Sequence, residues 1–394
     1  MRLLRPVTMI TFLFLQTVCG RSTSLSMLGE APDWETLEVY QASMTREVFE
    51  RRLETIYVPY ASLERWLAIS DQGVSVVMEA KKPHFRYFIE FRREESKAEK
   101  AFRLNGLKIA IDPGHIGGEY ARMEQRRFQL SGDHPVMEGN LVLDVARHLK
   151  ERLEEKGAEV TLVRDGAEPV TGARPVDFFD EAEKILKCEK PHLDAGSAMW
   201  NAALEALRDK LFYRVSEIHA RARLINEIIE PDLTLALHIN AAEWPDGNEK
   251  TLVQEDHFHV LINGAYMDAE LALDDIRYGM LRKILSRELE WELPLAESMA
   301  SAFAERTDLP PYSYSGKNAG AIKGNPYLWT RNLLANRLYE CPVIYLEPYV
   351  ANSESTYRRI QAYLEARSKG VELQDSIIDE YVDSVMAGLE ALEE

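Results

Sequence analysis

Leu107-Lys108-Ile109-Ala110-Ile111-Asp112-Pro113-Gly114-His115 is the stretch that decides the fold. An apolar run closed by a proline-glycine pair reads as a buried strand with a polar group just past its carboxyl end. Gly114 permits a tight turn and close backbone approach, so His115 projects from that end. Beyond it, the stripe Leu141, Val145, Leu149 and Leu153 has helical spacing from Glu138 onward, and Gly157 stops the helix. Glu159 to Val163 is the next strand. A strand, helix, strand unit of this kind is parallel and right-handed.

The same logic repeats downstream. Ile218, Ala222, Ile225 and Ile229 make one face of a helix that Pro231 ends, and Leu233 to Leu237 form a buried strand leading into His238. His257 to Ile262 reads as a further strand, Tyr278 to Leu289 and Pro294 to Arg306 as helices, and Pro342 to Leu346 as a strand ending at Glu347. Asn352-Ser353 can cap the helix that follows, and Ile378, Val382, Val385 and Leu389 mark a last one. The expected fold is α/β, a mostly parallel sheet flanked by helices. In such sheets ligands bind outside the carboxyl ends of the strands. Three of those ends carry a potential metal ligand or base: His115, His238 in Leu237-His238-Ile239-Asn240, and Glu347 in Tyr345-Leu346-Glu347-Pro348. Glu138 opens a helix between the first two.

That pattern points to a metal-dependent hydrolase. A catalytic zinc takes three protein ligands and keeps a fourth position open, and two histidines plus one carboxylate are a common set. His115, Glu138 and His238 are the candidate ligands, with Glu347 as the acid/base that takes a proton from water and delivers it to the leaving amine.

Composition frames the rest. With 394 residues, 46% hydrophobic and 28% charged, the chain has ordinary globular composition and room for one large domain plus a smaller one. Acidic residues outnumber basic ones 65 to 47, and the net charge of −18 argues against a nucleic-acid partner. Arg2 and Arg5, the apolar core Val7 to Val18, then Cys19-Gly20 read as an export signal over residues 1–20, too short for a comfortable membrane span. Cys19 is alternatively a lipidated first residue, which would be the chain's one membrane attachment besides the signal. Residues 21–103 form a small N-terminal α+β module and linker, with a helix at Thr45 to Arg52, strands at Ile56 to Pro59, Val74 to Met78 and Tyr87 to Phe91, and the charged stretch Arg92 to Lys100. The main domain is 104–394. Cys188 and Cys341 either pair or are buried as small hydrophobes.

The motifs resemble the zinc-dependent N-acetylmuramoyl-L-alanine amidases of the amidase 3 family. Lys108 to His115 with Gly117-Gly118 matches the first motif and its histidine ligand; Glu138 in Glu138-Gly139-Asn140-Leu141 matches the glutamate ligand. Gly157 to Asp165 resembles the strand ending in an Arg-Asp pair, Arg221 to Asn226 the helix before the second histidine, His238 that histidine, and Glu347 the catalytic glutamate. The resemblance implies a phosphorylase/hydrolase-like sheet, a Zn2+ ion, peptidoglycan as substrate with cleavage of the amide between N-acetylmuramic acid and L-alanine, room for a protein activator, and a periplasmic or cell-envelope location. The alternatives are a zinc hydrolase of another amide or peptide, and a non-catalytic wall-binding or regulatory protein on the same fold.

Departures from the family pattern fall on the substrate side. Ile116 interrupts the glycines after His115, and the loop runs on through Glu119, Arg122, Glu124, Arg126 and Arg127. Arg122, Arg126 and Arg127 are either binders of a peptide carboxylate or muramyl carbonyl, or a solvated charge cluster. Pro348-Tyr349-Val350-Ala351-Asn352 is one residue shorter than the family's segment. The segments near 166–215 and 243–293 are long, as lids, docking helices or occluding elements are. His257 and His259 alternate on their strand and form a second candidate metal pair that lacks a third local ligand.

Overall fold

The computed structural model describes residues 24–94, 102–245 and 251–393. The segment read as an export signal, with Cys19, and most of the charged stretch read as a linker lie outside them. Among the described residues no helix is long and apolar enough to cross a membrane.

The N-terminal part contains α1 (Arg46–Arg52) and an antiparallel sheet of β1 (Leu67–Ile69), β2 (Gly73–Glu79) and β3 (Lys82–Glu90). Ile56 to Pro59 is not a strand. Leu53–Tyr57 continues α1 as a wide helical turn, because Phe49, Leu53, Ile56 and Tyr57 share its buried stripe.

The main sheet holds β4 (Lys108–Pro113), followed by the hairpin β5 (Arg127–Phe128) and β6 (Val136–Met137) that delivers the chain to α2 (Glu138–Glu155), and then β7 (Glu159–Leu162). α3 (Phe179–Glu189) and α4 (Ala198–Lys210) form a helical pair with its own apolar cluster around Ile185, Trp200 and Leu204. α4 runs on through a wide turn at Leu211–Ser216 into α5 (Glu217–Leu224), which leads to β8 (Leu233–Leu237). Residues 243–293 supply β9 (His259–Ile262), α6 (Asp268–Leu271) and α7 (Asp274–Leu285), and α8 (Leu289–Thr307) follows, starting five residues before Pro294. Then come β10 (Gly320–Ala321), β11 (Leu328–Thr330), α9 (Leu334–Leu338), β12 (Val343–Glu347), α10 (Glu354–Ser368) and α11 (Ile377–Glu390).

Seven strands make one sheet in the order β10-β11-β9-β12-β8-β4-β7. β7, β4, β8 and β12 are parallel neighbours, β9 runs antiparallel to β12, β11 is parallel to β9, and β10 returns antiparallel. The sheet is therefore mostly parallel and flanked by helices. β4 and β8 carry apolar residues on both faces, as strands buried between two helical layers must. α2, α8 and α11 pack together on one side; α5 and α9 cover the other, over Ala110, Ala236 and Val343. The carboxyl ends of β4, β8 and β12 lie side by side, with Pro113 opposite Leu237 and Leu346 opposite Leu237.

Candidate metal centre

His115, Glu138 and His238 meet at those strand ends. One donor atom from each lies within 4.8 Å of the others, and among the described residues no other group of three His, Cys, Asp or Glu side chains does this. His115 Nε2 is 3.3 Å from Glu138 Oε2, and His238 Nδ1 is 3.1 Å from Glu138 Oε1. The edge of a tetrahedron about zinc, with bonds near 2.0–2.1 Å, is roughly 3.3 Å, so both separations from Glu138 match that spacing and the donor types suit the ion.

Several contacts fix the cluster. His115 itself takes the left-handed conformation, φ 59°, while Gly114 does not. Such a backbone costs a side-chain-bearing residue roughly 1–2 kcal/mol, so neighbours must hold it. Arg221, 3% exposed, does so: Nη2 donates to the His115 carbonyl at 2.7 Å, Nη1 to the Pro113 carbonyl and to Asp112 Oδ1, each at 2.7 Å, and Nε to Glu217 Oε1 at 2.8 Å. Tyr339 donates to the other Asp112 oxygen at 2.6 Å. Gly114 is required for approach rather than for its turn, because a Cβ there would lie 2.2 Å from His238 Cε1. The His238 ring stacks on Tyr345 at 4.3 Å, and its carbonyl accepts from the Tyr381 hydroxyl of α11 at 3.1 Å.

Glu124 is a site residue that motif reading passed over. Its buried carboxylate accepts from Ile116 N–H at 3.0 Å and Gly117 N–H at 3.2 Å, and lies 3.6 Å from His115 Nδ1. It faces the imidazole nitrogen opposite the one turned to Glu138. The only sequence signal was an acid in a charged loop shortly after the histidine.

Electrostatics follow from these contacts. Burial alone would lower the His115 pKa, but the carboxylates of Glu138 and Glu124 override it and raise it to about 9. Burial opposes ionisation of Glu138, yet the two imidazoles hold its carboxyl well below the usual range. Burial pushes His238 down, against the pull of Glu138. Glu347 ends β12 opposite His259, half-buried; burial and the like charge of Glu138 push it up to about 8, against the pull of Arg126, His115 and Arg331.

Of the three loop arginines only Arg126 reaches the cluster, its Nε 3.2 Å from both His115 Nε2 and Glu138 Oε2. Arg127 bonds Gln129 at 3.0 Å, and Arg122 is exposed. His257 and His259 do not join a metal group: both rings pack on Tyr312, and His259 Nε2 meets the Tyr314 hydroxyl at 2.8 Å. Cys188 and Cys341 are not joined to one another.

Residues 109–259 match the family model described as N-acetylmuramoyl-L-alanine amidase, Amidase_3. The matched segment contains His115, Glu138 and His238 and stops before Glu347, which the fold brings to the same strand ends. No curated protein matches the chain. Among solved structures, the N-acetylmuramyl-L-alanine amidase Ami1 from Mycobacterium smegmatis is similar over 74% of this chain and 98% of its own, at 13% identity and TM-score 0.40. The amidase AmiC2 of Nostoc punctiforme is similar over 73% and 97%, at 14% identity and TM-score 0.37. The CwlD amidase from Clostridioides difficile, solved with the GerS lipoprotein, is similar over 73% and 98%, at 12% identity and TM-score 0.38.

Proposed function

We propose that the chain is a zinc-dependent peptidoglycan amidase that hydrolyses the amide between N-acetylmuramic acid and L-alanine. The observation that carries this reading is the convergence of His115, Glu138 and His238 inside the segment that matches the Amidase_3 model, with Glu347 at the adjoining strand end. His115 Nε2, Glu138 and His238 Nδ1 would hold the ion, and Glu124 would keep the far nitrogen of His115 protonated so that Nε2 offers its lone pair. Bound zinc supplies the Lewis acidity that polarises an amide carbonyl and acidifies water.

The chain's own residues do the remaining work. Glu347 takes a proton from the attacking water and delivers it to the departing alanine nitrogen, which needs a carboxylate that is both basic and able to give its proton back near neutral pH. Its raised pKa in the metal-free protein suits the second task, and nearby dipositive charge would draw it down toward the first. Arg126 must leave Glu138 as the ion enters, which frees its guanidinium to meet a substrate carbonyl or carboxylate. With the export-signal reading of residues 1–20, an amidase of this kind acts outside the cytoplasm, on the cell envelope.

Mass spectrometry of the products released from purified peptidoglycan tests this, using the protein with zinc, with chelator, and as Glu347→Gln. Free stem peptides beginning with L-alanine are expected with zinc alone, and loss of at least about a hundredfold in rate for the variant. Bound zinc with no release from any wall material would move the assignment to another amide or to a non-catalytic wall protein.

A further inference from the structure

Apart from the metal centre, the molecule has a cavity of about 650 Å³ with which the cluster shares no lining residue. Its walls come from the N-terminal part (Met27, Tyr60), the wide turn after α4 (Arg214, Val215), the α6–α7 region (Met267, Leu273) and the chain from Arg331 to Arg337. Much of its surface is apolar side chain. Against that stand five cations, Lys210, Arg214, Lys317, Arg331 and Arg337, and only two acids, Asp268 and Glu270. In a chain of net charge −18 such a concentration of positive charge is against the trend.

The two acids offset only part of it: Glu270 acts on Arg337 and Arg331 at longer range, and each acid is also held by a backbone N–H. Asp268 accepts from Ser62 N–H at 3.0 Å and Glu270 from Met267 N–H at 2.9 Å. Arg214, Arg331 and Arg337 form no ion pair among the described residues, in contrast to the buried Arg221, Arg277 and Arg282. Arg331 lies over the Tyr314 ring at 5.3 Å. Arg337 is 7% exposed and makes a single hydrogen bond, from Nη1 to Asn332 Oδ1 at 2.6 Å. Among the described residues no further hydrogen bond of Arg337 is found, and the residue lines the cavity. A guanidinium this far from solvent ordinarily has a carboxylate in direct contact, and Glu270 acts on Arg337 without forming an ion pair.

We propose that this cavity is a binding site for an organic anion, a molecule with an apolar body and a negatively charged group that pairs with Arg337 and Arg331. The site shares no residue with the metal cluster and does not rest on the amidase reading, although Arg331 also acts electrostatically on Glu347. An anion there closes the guanidinium's open positions while its body covers Met267, Leu273 and Leu333.

The test is titration of the full chain with 8-anilinonaphthalene-1-sulfonate, an apolar anion, beside its uncharged relative N-phenyl-1-naphthylamine. Saturable binding at one site per chain is expected for the sulfonate, weakened about tenfold or more by Arg337→Gln and by Arg331→Gln, with the uncharged molecule indifferent to both. Arg331 is less enclosed than Arg337, so its variant keeps the test valid where Arg337→Gln does not fold. N-acetyl-leucyl-phenylalanine, with its free carboxylate, should displace the sulfonate, and its amide should not. No binding, equal binding by both variants, or displacement by inorganic phosphate as effective as by the peptide would overturn the proposal.

Discussion

A histidine held in the left-handed region is an investment in direction: it turns His115 Nε2 toward Glu138 and Nδ1 toward Glu124. Replacing Glu124 by Gln should therefore leave folding intact and lower zinc affinity by about 10–100-fold, read by competition with a chromophoric chelator. The same imidazole sets a pH dependence. Folded, metal-free His115 keeps its proton up to about 9, whereas the unfolded chain releases it near the ordinary 6.5. Its contribution to stability is thus complete below pH 6.5 and is lost as pH rises through 9. Zinc competes with that proton, so affinity should climb about tenfold per pH unit across that window, and an affinity independent of pH would contradict the pairing. His115, Glu138 and His238 were legible in the sequence because each follows an apolar run or opens a periodic one. Glu124 was not, since its value depends on two N–H groups and a ring nitrogen that come together only after the turn has formed.

At the scale of elements, the site is a set of strand ends clamped from behind. Arg221 of α5 ties Asp112, Pro113 and His115 together inside the protein, so Arg221→Met strands the buried Asp112 carboxylate and should destabilise the metal-free protein by about 3–5 kcal/mol in urea denaturation. Gly114→Ala is a different kind of test. Its methyl would collide with the His238 ring, so zinc binding should fail although β4 still forms. After β12, the segment carrying Tyr349 at φ 64° is stitched down by Asp256, which accepts from Val350 N–H at 2.7 Å and from the Ser353 and Thr356 hydroxyls at 2.6 Å each. The helices α2, α5, α8 and α11 and the buried strands β4, β8 and β12 could be placed from the apolar pattern, whereas α3, α4, α6 and α9 could not. The direction of β9 could not, because an apolar run reads the same both ways, and the two- and three-residue strands β10 and β11 are too short to show a period. Ile56 to Pro59 misled for a related reason: four residues suit a strand or the last turn of a helix equally.

Across the whole molecule, the N-terminal part is bound into α7 by buried polar contacts: Arg277, fully buried, donates to the Val77 carbonyl at 2.8 Å, and Asp274 accepts from Ala80 N–H at 2.8 Å. Lys283 and Glu288 pair beneath β12, where Glu292 accepts from Val343 N–H at 3.0 Å. Unfolding should therefore be felt at the metal centre as one event. Zinc at about a hundred times its dissociation constant should add about 2.7 kcal/mol to stability, seen as a rise in melting temperature that His238→Ala abolishes. The contact between Tyr381 and the His238 carbonyl carries a further meaning in time. Because α11 follows His115, Glu138 and His238 in the chain by well over a hundred residues, a growing chain can possess all three candidate ligands well before the seat beneath His238 exists. The centre is complete only once α11 has been made, and a product cut short before α11 would carry the motif intact without its support.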